Sequence, residues 1–167
     1  MGGEAVEIDF SAFARAANLL YEGPWVAERY AAIGRFLEQS PGSVLGVTRD
    51  IILRGRDISA VAVFEACDEL GLLRQEDQVQ WEKMDVLLVP TAGTIYILEQ
   101  VAADPLGPNT KLGYYTNFVN LMDLCALAVP AGFRADGLPI GIPAPQTCGG
   151  FTRQKEADSA DDLYDGR

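Results

Sequence analysis

Two short apolar runs closed by proline, DVLLVP at 85–90 and ALAVP at 126–130, constrain this chain more than any other feature. Each reads as a strand, and a strand needs a neighbour for its backbone N–H and C=O groups. Between them, residues 90–115 are rich in glycine, proline and threonine. That stretch is expected to be mostly loop, of a length that usually signals a binding role. After ALAVP, the segment GFRADGLPIGIP at 132–143 reads as strand, turn and strand, with Asp136-Gly137 as the turn. A few strands on long connections do not close a sheet. The expectation is an α/β chain in which helices precede strands, forming the edge of a larger layered structure and exposing apolar surface where the rest of the sheet belongs.

The helices come first. Asp9 or Ser11 caps a helix whose Phe10, Phe13, Ala17 and Leu20 recur at helical spacing, ending near Tyr21. Gly23-Pro24 marks a break and a new start, and Trp25, Val26, Tyr30, Ile33 and Leu37 supply the apolar face of a second helix that ends at Ser40-Pro41-Gly42. A short helix is expected over 48–56. Asp57 or Ser59 then caps a longer one ending at Gly71, with Val61, Val63, Phe64, Cys67 and Leu70 facing the core. Residues 74–83 are mostly polar, with a single Trp81, and read as a connection. A last helix spans about 117–124, where Asn117 and Asn120 are expected to bond backbone near its start. Gly132, Gly137 and Gly141 read as backbone devices.

The 167 residues are 49% hydrophobic, enough for one domain with a sizeable core. A net charge of −11 argues against a nucleic-acid partner. There is neither an apolar run long enough to span a membrane nor a secretory leader, so the expected setting is cytoplasmic. With no histidine anywhere, Ser-His-Asp and Cys-His catalysis are excluded. Cys67, Cys125 and Cys148 lack metal or disulfide spacing; the first two are expected to be small buried residues. Asp68 and Glu69 are adjacent on a helix and point apart, which spoils them as an acid/base pair. After residue 143 the chain changes to an acidic stretch holding Asp158, Asp161, Asp162 and Asp165, which lacks the glycine and glutamate of a calcium loop and is expected to be a disordered tail.

Three segments, LLYEGPWVAERY at 19–30, the run at 85–133 containing TNFVN, and DGLPIGIP at 136–143, resemble the C-terminal part of an amidase-signature domain. The first narrows the likeness to allophanate hydrolases. The resemblance implies hydrolysis of an amide, urea-1-carboxylate, to ammonia and carbon dioxide without metal or organic cofactor. It also implies a serine nucleophile activated through a second serine on a cis peptide and a lysine. Ser11, Ser40, Ser43, Ser59 and Ser159 are isolated, and Lys83, Lys111 and Lys155 all follow the point where the family's lysine belongs. No catalytic residue is therefore assigned.

What the resemblance does carry over is a substrate clamp. Tyr21 and Arg29 are implied to contact the substrate carboxylate, for which a guanidinium fork and a phenol are suitable donors. The alternative is that Tyr21 is core and Arg29 a solvated residue paired with Glu28. Thr91, Gly93 and Tyr96 follow the first strand run, and the resemblance puts their loop near the substrate; equally, they are turn residues and a packing tyrosine. Residues 1–143 are thus expected to be a partial amidase-signature domain and 144–167 its acidic tail, the product of a truncated or split gene. Two functions follow: a fragment inactive alone, or a non-catalytic module that binds carboxylates or docks on a complementary amidase half or on its own copies.

Overall fold

The computed structural model describes residues 3–147. Four helices come first: α1 (Ser11–Glu22), α2 (Val26–Gln39), α3 (Gly46–Leu53) and α4 (Ala60–Trp81). Short helices α5 (Leu98–Ala103), α6 (Gly107–Leu112) and α7 (Phe118–Leu121) then lead into strands β1 (Leu124–Phe133) and β2 (Pro139–Thr147). Helices followed by a few strands is the expected order. Of the expected tail at 144–167, residues 144–147 belong to β2, so the folded part runs past the expected boundary at 143; the rest, Cys148 included, lies outside the described residues.

α1 forms as its spacing predicts. The Asp9 carboxylate accepts the Ser11 N–H at 2.9 Å, which holds that carboxyl below its usual range, and Phe13, Ala16 and Ala17 are buried. Phe13 is the centre of the core. Its ring lies 5.5 Å from Phe10, 5.1 Å from Phe118 of α7 and 6.0 Å edge-on from Trp81 at the end of α4. Edge-to-face rings at these separations add to the burial of three large side chains.

α4 departs from expectation. Ser59 caps it, its Oγ accepting the Ala62 N–H at 3.1 Å, but the helix runs through Gly71 to Trp81, where a connection was expected. Its buried stripe is Ala66, Leu70, Leu73 and Asp77, continued by half-buried Trp81, at spacings of three and four. Val61 and Phe64, expected in the core, are 65% and 71% exposed, and the Cys67 thiol is exposed too. The stripe was hidden because one of its members is an alanine and another a carboxylate. Asp77 is buried because the Trp81 indole N–H donates to its Oδ2 at 3.0 Å. Burial raises the Asp77 carboxyl above its ordinary value, against the indole hydrogen bond and Arg74, which lower it. The neighbouring Arg74 guanidinium donates twice to the Leu121 carbonyl, at 2.6 and 3.0 Å, and ties α4 to α7.

The stretch 90–115 is not mostly loop, since it contains α5 and α6. The side chain of Asp104 organises the start of α6 by accepting the Leu106 and Gly107 N–H groups at 3.1 and 2.9 Å. Asn117 occupies the start of α7 but forms no capping bond with its side chain.

β1 and β2 pair antiparallel, with Val129 opposite Ile142 and Leu127 opposite Ala144. ALAVP and the following GF are one strand rather than two. A bulge between Pro130 and Gly132, with Gly132 at φ 126°, lets the strand continue past the proline. The expected buried strand at 85–90 is an extended segment beside β2: Leu87 and Thr91 donate to the carbonyls of Pro145 and Gly141 at 3.0 and 3.1 Å. No bond can return from positions 143 and 145, because both are prolines without an N–H. That one-way pairing explains why the segment falls short of a regular strand. Its burial alternates, Leu87 and Val89 inward, Val86 and Leu88 outward, so one face is covered and the other open.

Two stability outcomes follow. Gly71 sits inside α4 with nothing within 4 Å of an added Cβ, so Gly71→Ala should stabilise the chain by about 0.5–1 kcal/mol in urea denaturation. For Asp77 the folded carboxyl titrates above its unfolded value of 3.8, so the fold holds more protons than the unfolded chain between the two, and stability falls as pH rises through that window. Asp77→Asn keeps an acceptor for Trp81 and removes this loss. Its Tm relative to the parent should therefore be higher at pH 7 than at pH 3.

Candidate functional site

The segment 19–30 forms a sharp corner between α1 and α2. The Gly23 N–H donates to the Leu19 carbonyl at 3.0 Å as α1 ends, and Pro24 and Trp25 start the next helix by accepting from Ala27 and Glu28. A side chain at Gly23 would collide with the Leu19 carbonyl oxygen, so the turn requires glycine for close approach. Leu19, Leu20 and Trp25 pack against the core and hold both helix ends.

Tyr21 is thereby left on the last turn of α1 at 49% exposure, not in the core, and Arg29 is exposed on the first turns of α2. Arg29 forms no ion pair with Glu28 or any other carboxylate among the described residues. Both side chains are thus exposed. A cleft of about 340 Å³ lies beside them between α2 and α4, lined by Pro24, Trp25, Ala27, Glu28, Ala31, Val63 and Cys67. Neither Tyr21 nor Arg29 lines it, and the Glu28 carboxylate on its wall disfavours an anion. This cleft does not join Tyr21 and Arg29.

The second set of candidates lies elsewhere. Thr91 is exposed, its N–H donating to the Gly141 carbonyl and its Oγ1 lying against the Gly141 backbone. Gly93 is exposed and faces the ring of Tyr115, which in turn packs against Phe10. Tyr96 is half-buried. This loop therefore meets the start of α1, whereas Tyr21 is at its end, about 16 Å along the helix axis. Within this chain the two sets are not brought together.

One polar cluster escaped the sequence reading. Tyr30 Oη donates to Glu38 Oε1 at 2.6 Å, which pushes the phenol above its ordinary value, and Arg56, raised mainly by its hydrogen bond to Asp57, adds a charge nearby. A tyrosine and a glutamate eight apart on one face of α2 were the available signal. Among the described residues no group of three or more cysteines and carboxylates could hold a metal ion. Nor is any helix long and apolar enough to cross a membrane.

The family model described as Amidase matches residues 1–145. The chain belongs to the amidase family. This amidase chain is 46% identical over 143 residues to the urea amidolyase of Saccharomyces cerevisiae, an alignment covering 84% of this chain and 8% of the relative. Among solved structures it superposes on Kluyveromyces lactis allophanate hydrolase with a TM-score of 0.81 at 41% identity, covering 85% of this chain and 24% of that one. The Kluyveromyces lactis urea amidolyase gives the same TM-score and identity, with 9% of that chain covered. The amidase-signature likeness to allophanate hydrolase is thus shown in sequence and in fold, over a small part of much longer proteins.

Because the 23–25 turn sets the angle between α1 and α2, Gly23→Val should destabilise the amidase chain by about 1–3 kcal/mol in thermal or urea unfolding. An unchanged midpoint would mean the corner relaxes without cost.

Proposed function

We propose that this amidase chain supplies the carboxylate-recognising part of an allophanate hydrolase site, with Tyr21 and Arg29 as the clamp. The observation that carries the reading is an exposed guanidinium with no ion pair among the described residues, one tight turn from an exposed phenol, in a chain 41% identical to an allophanate hydrolase. Allophanate bears a planar carboxylate, which a guanidinium grips through two parallel charge-assisted hydrogen bonds. Thr91, Gly93 and Tyr96, at the other end of α1, are not part of this clamp. Residues 1–147 act as part of the amidase domain, in the cytoplasm.

The reaction of the completed site is amide hydrolysis of urea-1-carboxylate to ammonia and carbon dioxide. The chain contributes substrate binding, not the nucleophile, because its serines and lysines stand apart from one another. Ammonia release from allophanate should be undetectable with this chain alone and appear when it is mixed with the serine- and lysine-bearing half of an allophanate hydrolase. Turnover by the chain alone would overturn the assignment. Arg29→Ala should weaken binding of malonate, a carboxylate analogue, by about tenfold or more, as expected for losing a charge-assisted hydrogen bond; calorimetry showing equal affinity would remove the clamp.

A second reading, a non-catalytic module that docks on an amidase partner or on its own copies, is favoured by one observation. Leu127, Val129, Phe133, Ile140 and Ile142 of the hairpin are all exposed.

A further inference from the structure

The helix that carries Arg29 is not seated on the core around Phe13. Of the corner only Leu19, Leu20 and Trp25 reach that core, and no buried or half-buried apolar residue of α2 does. α2 packs instead on α3 and on the 3-10 turn Arg54–Asp57. Leu37 of α2 and Ile52 of α3 are both buried, and both lie outside the Phe13 cluster. The direction in which α2 presents Arg29 is therefore set in this second contact.

Tyr30, the residue after Arg29, stands at its centre. The Tyr30 ring lies across Gly34, one turn further along α2, where an added Cβ would fall 2.7 Å from its Cε2 and 2.8 Å from its Cδ2. The Tyr30 Cβ meets Gly55 of the turn, where an added Cβ would lie 2.8 Å from it and collide with the Val26 carbonyl oxygen. Both glycines are buried and neither has a positive φ, so close approach is what they provide. At its far end the phenol is pinned by the bond from Oη to Glu38 Oε1 at 2.6 Å. Residues 30, 34 and 38 share one face of the helix. Gly34, Gly55 and Glu38 are three fixed points, and they leave the first turns of α2 one rotation against the turn.

Rotation is what a carboxylate clamp tolerates least. A helix with its side chains has a radius of about 5–6 Å, so turning it by about 10° carries a side-chain tip roughly 1 Å. Recognition groups work within about 0.5 Å of their productive positions. Arg29 has no ion pair among the described residues to hold it, so its direction comes from the helix beneath it.

We propose that Tyr30 is a positioning residue of the clamp: seated on Gly34 and Gly55 and tied to Glu38, it fixes the rotation of α2 and with it the direction in which Arg29 meets a carboxylate. This rests on the reading that Tyr21 and Arg29 grip the carboxylate of allophanate, and it adds the device that aims the gripping group.

The test is calorimetric titration of malonate into the full chain and its variants. Tyr30→Phe keeps the ring and deletes the bond to Glu38, and malonate affinity should fall about threefold or more. In an Arg29→Ala background the same substitution should change nothing further, because Tyr30 acts only through Arg29. Gly34→Ala favours the helix while its methyl displaces the ring, and it should show the same loss and the same dependence on Arg29. Glu38→Gln, which keeps an acceptor for the phenol, should restore most of the affinity that Glu38→Ala loses. Parent affinity in Tyr30→Phe and Gly34→Ala, with Arg29→Ala still weakened, overturns the positioning role and leaves the clamp standing. An equal loss in both backgrounds also overturns it, since Tyr30 then acts on the ligand or on stability by itself. Parent affinity in Arg29→Ala removes the clamp, and the positioning role with it.

Discussion

The Phe13 ring, without solvent exposure and enclosed by Phe10, Trp81 and Phe118, is the contact on which the rest of this structure depends. It joins the first helix, the end of the longest helix and the short helix that feeds β1. The first helix has 12 residues and the short one 4, too few to be stable alone in water, so their helicity comes from this shared apolar contact. Asp77 and Arg74 orient the partners around it. One fixes the Trp81 indole through its carboxylate, and the other clamps the carbonyl that ends α7. Ion pairs between α1 and α4, from Arg15 to Glu69 and Glu76, are half-exposed and add little beside it.

Proline placement governs the sheet. At 143 and 145 it strips β2 of donors on the side facing 85–91, so that contact stays one-sided. At 130 it points outward and leaves the β1–β2 ladder whole. Read as strand terminators, the same prolines give the wrong strand boundaries, because a proline is harmful only on the side where its missing N–H is required. Which side that is depends on the register, a property of two strands rather than one.

The corner at 19–30 is set by local sterics and by its packing on the core. Gly23 and Pro24 fix the angle between two helices through local sterics, and the flanking Leu19, Leu20 and Trp25 secure them to the core. Tyr21 and Arg29 are consequently displayed on a rigid support. The loop holding Thr91, Gly93 and Tyr96 is displayed at the other end of α1. The two sets of residues are not brought together within this chain, which spans a quarter of the matched allophanate hydrolase.

The sequence by itself determined the helix order, the Gly23-Pro24 corner, the Asp136-Gly137 turn, the absence of histidine chemistry and the amidase family. All of these reside in local residue chemistry or in contiguous motifs. Tertiary structure alone decided that α4 continues through Gly71 to Trp81, because its buried stripe runs over a small alanine and a carboxylate that the apolar pattern does not reveal. It also turned Phe64 and Cys67 outward, formed α5 and α6 within the expected loop, and joined ALAVP and GF into one bulged strand. These outcomes depend on which faces meet a partner. Periodicity can reveal that a face is apolar, but only packing reveals whether something in this chain covers it.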